Sequence, residues 1–244
     1  MASNKTAAYN FTIVVPVYNE EDNMDMIEDK LRAYISHASH KSCVLFVDDG
    51  STDKSLSSIQ RMCTDNPDFY YISFQRNCGL SAAIKAGIDY TTSPLVGYID
   101  ADLQTDPEDF ELLLKHTEQY PLVIGIRAKR KDTWWKRRQS RIANSFRRMM
   151  TGDTAIDTGC PLKILHTDVA KKIPFFKGLH RFIPALVQLQ GLEYKQIPVS
   201  HRQRVAGVSK FSMHNRLWGP LADCFAFRWM RTRYINYTIE QKKI

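Results

Sequence analysis

The sequence predicts an α/β fold: a mainly parallel sheet with helices on both faces. Two observations carry the prediction. Short apolar, β-branched runs alternate with segments whose apolar residues recur every three or four positions, up to about residue 125. Two of the runs then end in acidic clusters. Val44-Leu45-Phe46-Val47 leads into Asp48-Asp49-Gly50-Ser51-Thr52-Asp53, and Leu95-Val96-Gly97-Tyr98-Ile99 leads into Asp100-Ala101-Asp102-Leu103-Gln104. Carboxylates at strand ends converge on the crevice where open α/β sheets bind ligands.

The elements follow in order. Phe11 to Val17 reads as a buried strand, with Pro16 expected to end it by removing a ladder donor. Met24, Ile27, Leu31 and Ile35 give a helical spacing from Glu20 to about Ser36. Val44 to Val47 is a second buried strand, and Ser51, Thr52 and Asp53 offer N-cap chemistry for a helix to about Met62. Phe69 to Phe74 is a third strand, followed by a helix from Gly79 to Tyr90 with small residues on one side. Leu95 to Ile99 is a fourth strand. Asp106 and Pro107 then start a helix, the acid as cap and the proline in the first turn. Leu122 to Ile126 is a fifth strand. Beyond it the pattern is less regular. It predicts a basic helix from Trp134 to Met150, a strand within 158–165, a helix from Leu179 to Leu189, a strand from Leu192 to Val199, a basic loop over 200–209 and a last helix from about His214 to Tyr234.

With 244 residues, one large domain is expected, about 11–125 binding a ligand at the acidic edge and about 126–244 forming a second half. Charge separates along the chain. Residues 1–122 carry 9 Lys/Arg against 19 Asp/Glu, and residues 123–244 carry 25 against 7, which yields the overall +8. An acidic half suited to a metal thus adjoins a basic half suited to polyanions. The five cysteines show no CxxC pair, which argues against structural zinc and a disulfide framework and fits a reducing compartment. No secretory signal and no membrane-spanning apolar stretch is visible, so a cytoplasmic location is expected.

Asp100 and Asp102, taken as an extended segment, are expected to point the same way, with Gln104 continuing the row. Oxygen ligands of this kind suit Mg²⁺ or Mn²⁺ holding a diphosphate. Of Asp48 and Asp49, one is read as a helix cap and Asp49 as a receiver of a nucleoside donor. Tyr18 and Glu20, after Pro16, read either as a capped turn or as contacts to base and ribose. Arg76 is placed to meet ligand or acid, Arg127 ends the fifth strand within reach of a diphosphate, and Arg204 to Lys210 is a basic loop with glycine. The stretch 129–148 interleaves nine cationic residues, Arg137, Arg138 and Arg141 among them, with Trp134, Trp135 and Phe146. That composition suits an anionic membrane surface or a phosphorylated lipid. Nucleic acid rivals it on charge alone, but no nucleic-acid-binding signature accompanies it.

Together these motifs resemble family 2 glycosyltransferases, in order from Pro16-Val17-Tyr18-Asn19-Glu20 to Arg204-Val205-Ala206-Gly207-Val208-Ser209-Lys210, and within that family the dolichyl- and polyprenyl-phosphate hexose (mannose or glucose) synthases. The resemblance covers about residues 11 to 211 and implies a GT-A fold, a Rossmann-like sheet extended by an acceptor-binding region. It implies donor contacts from Pro16, Tyr18, Glu20, Val47, Asp49, Asp100, Ala101, Asp102, Arg127, Arg204 and Lys210, and metal ligation by Asp102 and Gln104. The acceptor phosphate and membrane are assigned to Arg137, Arg138, Arg141 and Ser145. At Asp157 to Lys163 the chain departs from the branch's Asp-x-Ser-Gly-Phe-Arg pattern.

The implied reaction is an inverting transfer of a hexose from a GDP- or UDP-sugar to a polyprenyl phosphate, on the cytoplasmic face of a membrane. If the acceptor is instead a saccharide hydroxyl, a base is needed, and Asp157 is the candidate, with a cap or a partner for a nearby arginine as equal alternatives. A nucleotidyltransferase and a non-catalytic nucleotide-sugar binder are the remaining alternatives.

Overall fold

The computed structural model describes residues 9–102, 104–127, 145–200, 218–235 and 240–241. Its centre is a seven-stranded sheet in the order β3-β2-β1-β4-β6-β5-β7. The strands are β1 (Phe11–Val17), β2 (Ser42–Asp48), β3 (Phe69–Ser73), β4 (Leu95–Tyr98), β5 (Leu122–Arg127), β6 (Lys163–His166) and β7 (Tyr194–Val199). β6 runs antiparallel to both its neighbours, β4 and β5, and the other pairings are parallel.

That reversal has a structural consequence. β6 begins where β4 and β5 end, so the residues that lead into it arrive at the same edge as Asp100 and Arg127. Lys163, its first residue, pairs with Tyr98 on one side and Ile124 on the other.

Side-chain alternation along β1 divides the core. Phe11, Ile13, Val15 and Val17 face one cluster with α1 (Met24–His37), α2 (Ser55–Asp65) and α4 (Phe110–Leu114). Val14 faces the other, with α3 (Leu80–Tyr90), α6 (Thr167–Lys171), α7 (Ile183–Leu189) and α8 (Trp218–Arg231). Helical residues 145–151, here α5, join this second layer through Met150. α3 comes close to β1 because of its small residues: a Cβ at Gly87 would lie 2.3 Å from Val14 Cγ1.

Several boundaries differ from the sequence expectation. β1 continues past Pro16, which pairs with Val47. The Val14 carbonyl accepts the N–H of Ile99, the residue after β4, at 3.1 Å, the last rung on that side. Pro16 faces the same side two residues on, beyond that rung, so its missing N–H breaks no ladder bond. α2 starts at Ser55, because Asp53 Oδ1 accepts Ser55 N–H at 2.9 Å and the preceding residues form a turn. After Asp106, whose side chain accepts Glu108 N–H, the chain makes a 3₁₀ turn (Pro107–Asp109) before α4. The helix expected from Leu179 is likewise a 3₁₀ turn (Leu179–Arg181) followed by α7.

Candidate active site

The C-terminal ends of the parallel strands form the site edge. Three loops meet there, and hydrogen bonds fix their positions. Asn19, in the left-handed region at φ 52°, accepts Thr52 N–H at 2.7 Å, while its own N–H donates to Ser51 Oγ at 3.0 Å. Glu20 N–H donates to Ser55 Oγ at 2.8 Å. The loops after β1 and β2 are therefore tied to each other. The loop after β3 is tied in by Asp49, whose carboxylate accepts Cys78 N–H at 2.6 Å, Gly79 N–H at 2.8 Å and Asn77 Nδ2 at 2.9 Å. Burial pushes the Asp49 carboxyl up from its usual range, and the two backbone donors pull against that rise.

Asp49 thus holds partners the sequence reading did not name, Asn77, Cys78 and Gly79. Asp48 is the turn-former of the pair: it accepts Ser51 N–H at 3.1 Å and Ser73 Oγ–H at 2.8 Å. Gly50 lies between the loops at φ +69°. A Cβ there would lie 2.4 Å from the Arg76 carbonyl carbon. Of the expected donor contacts, Tyr18 and Glu20 are half-buried at this edge, with Glu20 also accepting Asn23 Nδ2 at 2.7 Å. Pro16, Val47 and Ala101 are buried. The Val47 side chain is fully enclosed, so contact from that side chain is excluded and only its backbone is left for the role.

Asp100, Asp102 and Gln104 are all half-buried and follow β4 directly. The reason given for their alignment needs correction. β4 stops at Tyr98 and residues 101–102 form a turn, so strand alternation does not extend to the pair. The turn is closed instead by Gln104 N–H donating to Asp102 Oδ1 at 3.2 Å. Among the described residues, no three His, Cys, Asp or Glu side chains gather as a ready-made metal cluster. The donor set still fits a hard cation of the Mg²⁺ type. Asp102 and Gln104 carry oxygen donors, and ions of this type complete their shell with water and substrate phosphate.

Arg127 ends β5 and meets Asp157 in a two-point ion pair, Nε to Oδ2 at 2.7 Å and Nη2 to Oδ1 at 2.8 Å. The backbone N–H groups of Arg127 and Gly159 also donate to this carboxylate, at 3.3 and 3.2 Å. Both side chains are largely enclosed, at 15% and 10% exposure. Burial opposes the Arg127 charge, and Asp157 outweighs it, so the guanidinium stays more firmly protonated than usual. Asp157 is here the partner of a nearby arginine, one of the roles open to it in the sequence beside that of a base. A carboxylate gripped at both oxygens by a guanidinium is poorly disposed to take a proton.

The sequence reading missed Lys163. It is wholly buried, and its ammonium donates to Tyr98 Oη at 2.9 Å, to Thr158 C=O at 3.4 Å and to Cys160 C=O. Burial pulls its pKa down from the usual lysine value. The residue clamps the turn from Asp157 to Cys160 onto β4, two positions before Asp100. Its signal was a lysine inside the apolar run Pro161 to Leu165. His180 was missed as well. It meets Ser81, at the start of α3, with 2.8 Å between Nδ1 and Oγ, and burial holds its pKa down at about 3.

In the basic stretch, Ser145 is exposed at the start of α5. Arg147 is buried and pairs with Asp153, so it belongs to the core and is unavailable to a lipid. Arg137, Arg138, Arg141, Arg204 and Lys210 lie outside the described residues. The segment holding the last two leaves β7 at Ser200, which is anchored to Asp109 Oδ2 through its N–H at 2.8 Å and its Oγ at 2.5 Å. An open cleft lined by Ser93, His166, Asp168 and Lys171 lies at the opposite end of β4, and no predicted site residue lines it.

A seven-stranded, mainly parallel sheet with one reversed strand and an acidic C-terminal edge is a GT-A fold. The glycosyl transferase family 2 model matches residues 12–174, and the chain belongs to that family. It is 33% identical over 216 residues to an undecaprenyl-phosphate 4-deoxy-4-formamido-L-arabinose transferase of Edwardsiella ictaluri, covering 87% of this chain and 66% of that protein. It is also 33% identical over 208 residues to a dodecaprenyl-phosphate galacturonate synthase of Rhizobium johnstonii, covering 83% and 62%. The chain therefore spans somewhat less than two thirds of the length of these relatives. Among solved structures, the glucosyl-3-phosphoglycerate synthase from Mycobacterium tuberculosis in complex with Mn²⁺, UDP and glucosyl-3-phosphoglycerate superposes with a TM-score of 0.68 at 16% identity. The match covers 93% of this chain and 81% of that one.

Proposed function

We propose that this chain transfers a hexose from a nucleotide-diphosphate sugar to a polyprenyl phosphate at a membrane surface, with inversion at the anomeric carbon. The observation that carries the reading is the Arg127–Asp157 pair beside Asp100 and Asp102. The edge offers a fixed cation and acids of the metal-binding type, while the carboxylate best placed to be a base is committed to an arginine. An acceptor phosphate is already anionic and needs no deprotonation, whereas a sugar hydroxyl does. The relatives that act on undecaprenyl and dodecaprenyl phosphate support the same acceptor class.

In this reading Tyr18, Glu20 and the loops tied by Asp49 line the nucleoside end of the crevice. Arg127, oriented by Asp157, faces charge growing on the leaving diphosphate, helped by Arg204 and Lys210. Asp102 and Gln104 would hold Mg²⁺ or Mn²⁺, which supplies Lewis-acid neutralisation of the diphosphate when bound. Among the described residues no helix is long and apolar enough to cross a membrane, and all five cysteines are free thiols. Free thiols suit the reducing, cytoplasmic side of a membrane.

The test is incubation with a panel of UDP- and GDP-hexoses, undecaprenyl phosphate and Mn²⁺, followed by mass spectrometry of the lipid fraction. A glycosyl-phosphoryl lipid is expected. Transfer to added oligosaccharides with none to the lipid overturns the reading.

A further inference from the structure

α8 is apolar on two faces. Its inner face buries Cys224 and Phe227, and the Phe227 ring stacks on Phe182 at 5.7 Å between centroids. Its outer face carries Ala222, Phe225, Ala226 and Trp229, an i, i+3, i+4, i+7 stripe. Phe225 and Trp229 are 60% and 63% exposed. The stripe extends onto α5, where Phe146 meets Phe225 edge to face at 6.5 Å and Met149, one turn further, is 66% exposed. Scattered exposed apolar residues need no explanation, but a contiguous aromatic patch across two helices does.

Cations frame this patch. Arg148, Arg228, Arg231 and Arg233 are all exposed, and the Arg233 guanidinium lies over the Trp229 ring at 5.3 Å. The one acid of α8, Asp223, is turned toward Gly178 on the packed side. A second copy of the chain docking through the same patch would bring arginines against arginines. An anionic bilayer meets both features at once, with phosphates at the arginines and acyl chains at the aromatic rings.

We propose that the outer faces of α5 and α8, centred on Phe225 and Trp229, seat the protein on an anionic membrane surface. The proposal rests on the lipid-acceptor reading for its purpose and extends it by naming the surface that docks. Its place suits that purpose. Asp157 follows α5 by six residues, and the buried Arg147–Asp153 pair, with Arg147 Nη2 donating to Ala155 C=O at 2.7 Å, stiffens the link. A docked patch thereby holds the Arg127–Asp157 pair at a fixed height above the lipid headgroups.

The experiment is flotation of the whole chain with vesicles of phosphatidylcholine and phosphatidylglycerol, and with vesicles of phosphatidylcholine alone. The wild type is expected to bind the anionic vesicles. Phe225→Ser/Trp229→Ser is expected to bind them on the order of tenfold more weakly, and Arg148→Gln/Arg233→Gln to lose the preference for phosphatidylglycerol. Transfer to a short, water-soluble prenyl phosphate should be unchanged in both. A variant-free arm uses hydrogen exchange of the wild type, where peptides from 145–151 and 222–233 must gain protection when vesicles are added. Wild-type-like flotation of the Phe225/Trp229 variant, absence of that protection, or a dimer that the same variant dissolves each overturns the proposal. Vesicle binding without transfer to any prenyl phosphate would sink the lipid-acceptor reading and leave the docking surface standing. Transfer without vesicle binding would do the reverse.

Discussion

Arg127 and Asp157 are thirty residues apart in sequence and share two short hydrogen bonds, 2.7 and 2.8 Å, at the rim of the sheet. The pair exists because β6 runs antiparallel and delivers its leading turn to the end of β5. Asp157→Asn keeps the shape but removes the charge that faces a largely enclosed guanidinium. Stability should fall by about 2–4 kcal/mol and transfer by on the order of 10²-fold, as Arg127 loses its orientation. The loss should scale the whole kcat–pH profile by one factor, whereas removing a general base would also take away the acid limb of the wild-type profile. Denaturant melts and a kcat–pH series check both parts.

Asp102→Ala should leave the melting temperature within a few degrees, since the residue sits half-buried in a turn outside the sheet. Metal-dependent transfer should drop by on the order of 10³-fold. Mn²⁺ electron paramagnetic resonance in the presence of a nucleoside diphosphate reads the same residue without turnover. Unchanged Mn²⁺ affinity in the variant removes Asp102 from the ligand set.

Gly50→Ala tests the packing of the three loops. Alanine at φ +69° is strained, and its Cβ would meet the Arg76 backbone, which cannot swing away as a side chain can. A loss of about 2–4 kcal/mol in chemical denaturation is expected. Donor binding should weaken in parallel, because the loop carrying Asp49 must shift.

His180 gives a pH signature. Its folded pKa, about 3, lies below the unfolded value, with burial as the main cause. The unfolded chain therefore takes up a proton that the folded chain refuses as pH falls below about 6.5. Its contribution is fully present above that value and is lost as pH falls toward 3. Full linkage between about pH 6.5 and 5 amounts to roughly 2 kcal/mol. His180→Gln should flatten the stability curve over that window relative to wild type, and paired urea titrations at the two pH values measure the difference.

The alternation of buried runs and amphipathic helices was legible because period-2 and period-3.6 patterns are local. So was the acidic edge, since carboxylates directly after apolar runs announce a strand's exit. What escaped was non-local. Nothing around Lys163 says that β6 is reversed, and without that reversal neither the Lys163 clamp nor the Asp157 ion pair can be placed. The partners of Asp49, namely Asn77, Cys78 and Gly79, could not be named because they come from a loop some thirty residues away. Arg147 was counted with a basic surface because its partner, Asp153, lies around a turn. For α8 the sequence announces a helix, and the structure shows an inner face packed and an outer face exposed.

In the proposed reaction an oxygen of the lipid phosphate attacks the sugar's anomeric carbon while the nucleoside diphosphate departs. Undecaprenyl phosphate labelled with ¹⁸O in its phosphate tests this directly, with both products read by mass spectrometry. A glycosyl-phosphoryl lipid that retains every label and an unlabelled nucleoside diphosphate are expected. Unglycosylated, fully labelled lipid beside free sugar, or release of pyrophosphate or a nucleoside monophosphate, would contradict it.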